Sequence, residues 1–237
     1  MSSYVLVHGA WHGAWCWDKV VPLLEAEGHS VTAVDLPGHG DDTTPLTGLT
    51  QAEYGRRVAD AVEAAGEPVV LVGHSMGGMA ITQAAEYVPD KIATLVYVCA
   101  FLPGPGGSLL TLADGDTEAR VLPNLEVDEP AGVCRVAKAA LVECFYEECD
   151  PEDAAAASAR LGPESLAAFA TPVAVTDDRA GSVRRIYVEC VRDHAISITK
   201  QREMWAARPC ERVETIDTDH SPFLSRPEEL AAHLLAV

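Results

Sequence analysis

Basic residues are scarce in this chain. Its 237 residues hold 17 Lys and Arg against 36 Asp and Glu, a formal charge of −19 with a pI near 4.6. Nucleic acid and anionic membrane surfaces both require a basic face, so neither is an expected partner, and the acidity serves solubility. Long apolar runs are missing too: no stretch approaches the roughly 18 residues of a membrane-spanning helix. Met1-Ser-Ser passes directly into a strand-like run, with neither a basic segment nor an apolar signal core, which predicts a cytoplasmic protein. Paired cysteines are absent. Cys16, Cys99, Cys134, Cys144, Cys149, Cys190 and Cys210 are odd in number, with no C-x-x-C pair and no metal-ligand spacing, so reduced thiols are expected and no metal or organic cofactor is implied.

What is present centres on Val69-Val-Leu-Val-Gly73-His74-Ser75-Met76-Gly77-Gly78, followed by an Ala-rich segment from Met79. The all-apolar run reads as a buried strand, the glycines as a sharp turn and the Ala-rich segment as a helix. G-x-S-x-G in that setting is a nucleophile elbow, in which a strained turn lifts a serine hydroxyl above the sheet edge. The glycines beside Ser75 are expected because a Cβ there would collide with a neighbouring element. A chance match in a loop is the alternative, and the strand before and helix after count against it.

The length suits one domain over 1–237. Tyr4-Val-Leu-Val7 predicts a buried strand, followed by the glycine-punctuated loop His8-Gly9-Ala10-Trp11-His12-Gly13 and a helix over about 17–27. An acyl-transfer site needs two backbone N–H groups aimed at the developing oxyanion, one from the residue after the nucleophile and one from a loop after an early strand. Met76 and Ala10 are the candidates. Further strands are expected at 30–34, 92–98, 184–190 and 212–216, with helices at 50–65, 197–206 and 227–236; Thr50 and Glu53 stand at capping-box positions. Strands alternating with helices at this spacing demand a mainly parallel sheet flanked by helices. Between about 101 and 176 the alternation stops, and short helices are expected over 133–147, 151–160 and 164–169. This insertion, after the strand at 92–98, reads as a small helical cap whose Phe145, Tyr146, Leu166 and Phe169 would roof a pocket.

Two loops at strand ends carry the remaining chemistry. A serine hydroxyl becomes a good nucleophile when an imidazole takes its proton, and the imidazole needs a carboxylate to fix its tautomer. Hydrolases with this elbow run in the order nucleophile, acid, histidine. Ser75, Asp193 and His220 fit. His8 and His74 are expected to point into backbone hydrogen bonds, and His29, His39 and His233 to be surface or turn residues. For the acid, Asp177, Asp178, Asp217 and Asp219 compete with Asp193, which directly follows its strand and is preferred. Trp11, Trp15 and Trp17 read chiefly as packing; Trp11, with His12, Phe145 and Ser221, is also a candidate for the substrate pocket.

His8-Gly-Ala-Trp-His-Gly-Ala-Trp15, Gly73-His-Ser-Met-Gly-Gly78, Asp150-Pro-Glu-Asp-Ala-Ala-Ala-Ala-Ser158 and Gly181-Ser-Val-Arg-Arg-Ile-Tyr187 together resemble the α/β-hydrolases of the plant methylesterase and hydroxynitrile lyase family, of which salicylate methylesterase is a known type. The resemblance covers nearly the whole chain and is weakest near 109–129. It implies the α/β-hydrolase fold, a triad of Ser75, Asp193 and His220, and oxyanion donors at Ala10 and Met76. Lyases of this kind carry threonine and lysine where this chain has Gly9 and Ser221. Without a cation beside the site a leaving cyanide lacks stabilisation, so the expectation is a serine hydrolase cleaving methyl or other small-alcohol esters of a compact apolar acid through an acyl-enzyme. A hydroxynitrile lyase is the runner-up, and a catalytically weak small-ligand receptor is the alternative of another class. The sequence leaves the oligomeric state open, a homodimer included.

Overall fold

The computed structural model describes residues Met1–Val237. In chain order its first elements are β1 (Ser3–Val7), α1 (Val21–Ala26), β2 (Ser30–Val34), α2 (Gln51–Ala64), β3 (Val69–His74), α3 (Gly77–Tyr87) and β4 (Ile92–Val98). An insertion then contributes α4 (Leu109–Ala113), β5 (Leu125–Asp128), β6 (Val133–Val136), α5 (Leu141–Phe145), α6 (Pro151–Arg160), β7 (Glu164–Ser165) and α7 (Leu166–Ala170). The chain returns to the body with β8 (Arg185–Cys190), α8 (Ile198–Ala207), β9 (Arg212–Ile216), α9 (Pro222–Ser225) and α10 (Pro227–Leu235).

The body is a six-stranded sheet in the order β2-β1-β3-β4-β8-β9, parallel throughout. Its central strands are buried on both faces, which is why β1 and β3 read as continuous apolar runs, whereas the edge strand β2 alternates with exposed residues. Alternation along each strand sorts side chains into two cores. Leu6, Val72, Val98 and Val188 face α1 and α10, while Val7, Leu71, Leu95 and Tyr187 face α2 and α3. α2 begins where the capping box places it, with the Thr50 amide donating to Glu53 Oε2 at 2.9 Å and the Ala52 amide to Thr50 Oγ1 at 3.2 Å.

The chain runs from β1 outward to β2 and then back across to β3, so the strand order reverses between β1 and β3. Loops leaving adjacent strands diverge at such a point and open a crevice at the strands' C-terminal ends. Val7 is in register with Gly73, which brings the loop after β1 beside the turn after β3. Ala10 and Ser75 meet for that reason.

The cap corrects the sequence reading. The helix expected over 133–147 is confined to α5, because Val133–Val136 forms the middle strand of a three-stranded antiparallel sheet, β5-β6-β7. The period-two burial of Val133, Cys134, Arg135 and Val136 is a strand pattern, and a turn at Glu129 to Gly132, closed by Gly132 N–H to Glu129 O at 3.0 Å, returns the chain onto β5. The helix expected over 164–169 likewise begins only at Leu166, since Glu164 and Ser165 pair with β6. No helix is long and apolar enough to cross a membrane.

Candidate active site

Ser75 occupies the turn between β3 and α3 with φ 53°, a left-handed conformation that is strained for a residue bearing a side chain. Three backbone bonds hold it there: its amide donates to Val98 O at 3.2 Å, and its carbonyl accepts from Gly78 at 3.0 Å and Phe101 at 3.1 Å. The flanking glycines are dictated by close approach. A Cβ on Gly73 would lie 2.7 Å from Gly77 O, and one on Gly77 would lie 2.6 Å from His8 O.

Asp193 and His220 come from the loops after β8 and β9, both strands lying on the same side of β3. His220 Nδ1 is 2.7 Å from Asp193 Oδ2, with the two residues 1% and 5% exposed. Asp193 Oδ1 accepts from the Ala195 amide at 2.7 Å and the Ile196 amide at 2.9 Å. The other carboxylates are engaged elsewhere. Asp177 pairs with Arg208 and Asp217 with Arg192 at the surface, Asp178 is exposed, and Asp219 turns toward the cap to accept from the Glu148 amide at 2.8 Å. Burial raises the Asp219 carboxyl above its ordinary value despite the amides of Glu148 and Ser221.

Ser75 opens onto a narrow cavity lined by 16 residues, of which 14 are hydrophobic. Its two polar members are Ser75 and Asp116. Ala10 and Met76 also line it, and neither backbone amide has an acceptor within the protein, so two N–H groups flank the serine uncommitted. Trp11, itself at φ 64°, packs against Phe145 and Phe169 at ring separations of 5.8 and 5.6 Å and anchors its indole N–H to Cys134 O of the cap at 3.1 Å.

Of the residues expected at the pocket, Trp11 and Phe145 line the cavity, whereas His12 and Ser221 do not. His12 is buried behind the wall: Nδ1–H donates to Ala10 O at 2.8 Å and the Tyr146 hydroxyl donates to Nε2 at 2.8 Å, an assignment set by the carbonyl, which can only accept. Burial holds its pKa at about 4, so it stays neutral. Ser221 is fully buried with its hydroxyl unpartnered. Of the four expected roof residues, Phe145 and Phe169 reach the cavity; Tyr146 is spent on His12, and Leu166 is half-buried against the main core without lining the cavity.

His8 and His74 do bond to backbone, His8 Nδ1 to Gly9 O at 2.7 Å and His74 Nε2 to His220 O at 2.8 Å, and burial pulls both well below their ordinary values. His39 does lie in a turn, but not at the surface. It is 3% exposed, and its Nε2 meets Glu164 Oε2 of the cap at 2.9 Å, while Tyr54 donates to Glu164 Oε1 at 2.7 Å. Sequence gave no sign of this pairing, because Glu164 lies 125 positions away and a glycine-rich loop ordinarily faces water. Ligand atoms of His74, Cys99 and His220 cluster within 4.8 Å, but His220 Nδ1 and His74 Nε2 are hydrogen-bonded to protein and burial holds the Cys99 thiol protonated, so the trio is poorly suited to a metal.

Residues 4–233 match the alpha/beta hydrolase family. Methylesterase 7 of Arabidopsis thaliana is 36% identical over 249 residues, covering 100% of this chain and 96% of that protein. Salicylic acid-binding protein 2 of Nicotiana tabacum is 37% identical over 251 residues, with the same coverage of 100% and 96%. Among solved structures, a pyrethroid hydrolase from Sphingobium faniae superposes with a TM-score of 0.89 at 31% identity, covering 99% of this chain and 96% of that one. The chain therefore belongs to the alpha/beta hydrolase family, among relatives that include the plant methylesterases.

Proposed function

We propose that the protein is a serine carboxylesterase acting on methyl or other small-alcohol esters of a compact, uncharged, apolar acid. The observation that carries this reading is the convergence of a strained serine, two uncommitted amides and an apolar cavity on one point, with a buried imidazole–carboxylate pair on the strand loops beside it. In this mechanism His220 Nε2 takes the Ser75 proton as Oγ attacks the ester carbonyl. The Ala10 and Met76 amides hold the oxyanion, each such donor being worth ~10²–10³ in kcat. Asp193 keeps the Nδ1–H tautomer and stabilises the imidazolium. Collapse expels the alcohol, which takes the proton from His220, and water repeats the cycle on the acyl-enzyme to release the acid.

The cavity limits the acyl group. It carries no cationic side chain, and its one carboxylate, Asp116, disfavours a second anion. The names of relatives support ester chemistry: the plant matches include methylesterases and a methyl jasmonate esterase of Vitis vinifera, and the solved structures a polyneuridine aldehyde esterase. Cyanohydrin cleavage fits less well, since departing cyanide meets no cation. A Cβ on Gly9 would fall 2.7 Å from Ser75 Cβ and 2.9 Å from His74 Nδ1, so the threonine of the lyases would displace the serine here unless the loop moved.

Turnover of a nitrophenyl ester and of aryl methyl esters, each beside cyanide release from mandelonitrile, tests the proposal. Ser75→Ala should lower ester kcat by about 10⁴-fold or more while the fold persists. Wild-type rates in that variant, or cyanide release faster than any ester hydrolysis, would remove the reading.

A further inference from the structure

Asp193 accepts four hydrogen bonds. Two come from backbone amides on Oδ1 and one from His220 on Oδ2; the fourth reaches Oδ2 from Gln201 Nε2 at 3.0 Å. Gln201 is the only side chain besides His220 that donates to this carboxylate. It is fully buried on the first turns of α8 and does not line the cavity, so it touches no substrate. Its orientation is set independently of Asp193. The Cys190 amide donates to Gln201 Oε1 at 3.1 Å, which commits the oxygen to the end of β8 and turns the NH₂ toward Asp193, Ile196 O at 2.8 Å and Cys190 O at 3.2 Å. An amide with its oxygen engaged by a backbone N–H cannot flip without stranding that donor in the core.

We infer that Gln201 is a positioning residue for ester cleavage: it donates to the same carboxylate oxygen that holds His220, fixing that oxygen's direction and drawing off part of its charge. This rests on the triad reading above. A donor sharing Oδ2 weakens the stabilisation that Asp193 gives the imidazolium through Nδ1–H, which favours release of the Nε2 proton to the departing alcohol. Removing the donor concentrates charge on Oδ2 and stabilises the imidazolium. The acid limb of the rate profile then moves to higher pH.

Two variants separate this from a purely structural role. Gln201→Glu keeps the shape and the Cys190 contact; two carboxyls about 3 Å apart in the core cannot both ionise, so the new one stays protonated and still donates to Asp193 Oδ2. Gln201→Met keeps the volume and removes only the polar group. With a neutral nitrophenyl ester, Gln201→Met should lower kcat about tenfold and shift the acid limb of kcat/KM upward by roughly half a pH unit. Gln201→Glu, which keeps a donor on that oxygen, should retain most of the rate and leave the limb near its wild-type position, and KM should hold in both. The histidine ring titration, followed by NMR in Ser75→Ala with and without Gln201→Met, reads His220 directly and does not depend on turnover. An upward move of that titration supports the inference even if no ester is hydrolysed. An unmoved acid limb and an unmoved ring titration in Gln201→Met, with rates falling only as far as thermal stability falls, would overturn it.

Discussion

The body and the cap contribute to the site in different currencies. Ser75, Asp193, His220 and the free amides of Ala10 and Met76 all come from loops at the C-terminal ends of parallel strands, where the backbone itself orients them. Of the 16 residues lining the cavity, ten lie between Phe101 and Phe169, and apart from Asp116 these are apolar. The cap also carries the exposed large hydrophobics Leu110, Leu122, Val127 and Val142, whereas the body's apolar side chains are spent on two close-packed faces of one sheet. The candidate chemistry thus lies in the body and the shape of the cavity largely in the insertion. The two are joined by buried polar ties that end beside the site: Trp11 to Cys134 O, Tyr146 to His12, the Glu148 amide to Asp219, and His39 with Tyr54 to Glu164. Such ties cost desolvation wherever they are unpaired, so a partly lifted cap is disfavoured.

The sharpest way to break this division is within one pair of aspartates, one serving the body's chemistry and the other holding the cap. Asp193→Asn should reduce kcat by about 10⁴-fold, because an amide at that position selects the wrong imidazole tautomer. Asp219→Asn, which keeps an oxygen for the Glu148 amide, should change kcat by less than about tenfold. Steady-state kinetics on one ester compare the two, and the reverse ranking would move the catalytic acid into the cap-holding role.

A smaller effect is expected from the cap itself. Phe169 lines the cavity and meets Trp11 edge-on at 5.6 Å. Phe169→Leu should raise KM for an aromatic acyl ester by about tenfold and leave an acetyl ester near wild type, since removing pocket contact costs ~1–3 kcal/mol without touching the reacting atoms. A uniform loss of kcat on both esters would show that the cap carries chemistry as well as shape.

The smallest effect concerns the tie through His39. Burial disfavours its charged form, yet the charge and hydrogen bond of Glu164 outweigh burial and raise it above the ordinary 6.5. A raised histidine contributes stability that is fully present below the unfolded value and is lost as pH rises through the folded one. Wild type should therefore exceed His39→Gln in Tm by a few degrees below about pH 6.5, with the excess narrowing as pH rises. Thermal melts across this range check it; an excess that widens with pH would reverse the sign of the coupling.

Sequence reading succeeded where a local rule is sufficient. Period and apolar run placed every strand of the body, Thr50 and Glu53 placed the start of α2, and glycines around Ser75 announced a turn that tolerates no Cβ. Chain order offered Asp193 and His220 as candidates because topology ties each to the end of a particular strand, and the two side chains meet at 2.7 Å. The cap was less legible, since Val133-Cys-Arg-Val136 is too short to tell strand from helix until β5 pairs with it.

Apart from Asp193 with His220, the long-range polar partnerships lay outside the sequence. Nothing near Gln201 indicates that its amide reaches Asp193, and nothing near His39 indicates a buried glutamate 125 positions away. What the sequence by itself determined was the sheet, the elbow and the candidate catalytic residues, because each depends on spacing along the chain. The tertiary structure alone decided which buried polar groups find one another and which side chains wall the cavity, because those depend on how the cap lies on the body, and a hydrogen bond's partner is chosen by a few ångströms of position rather than by residue type.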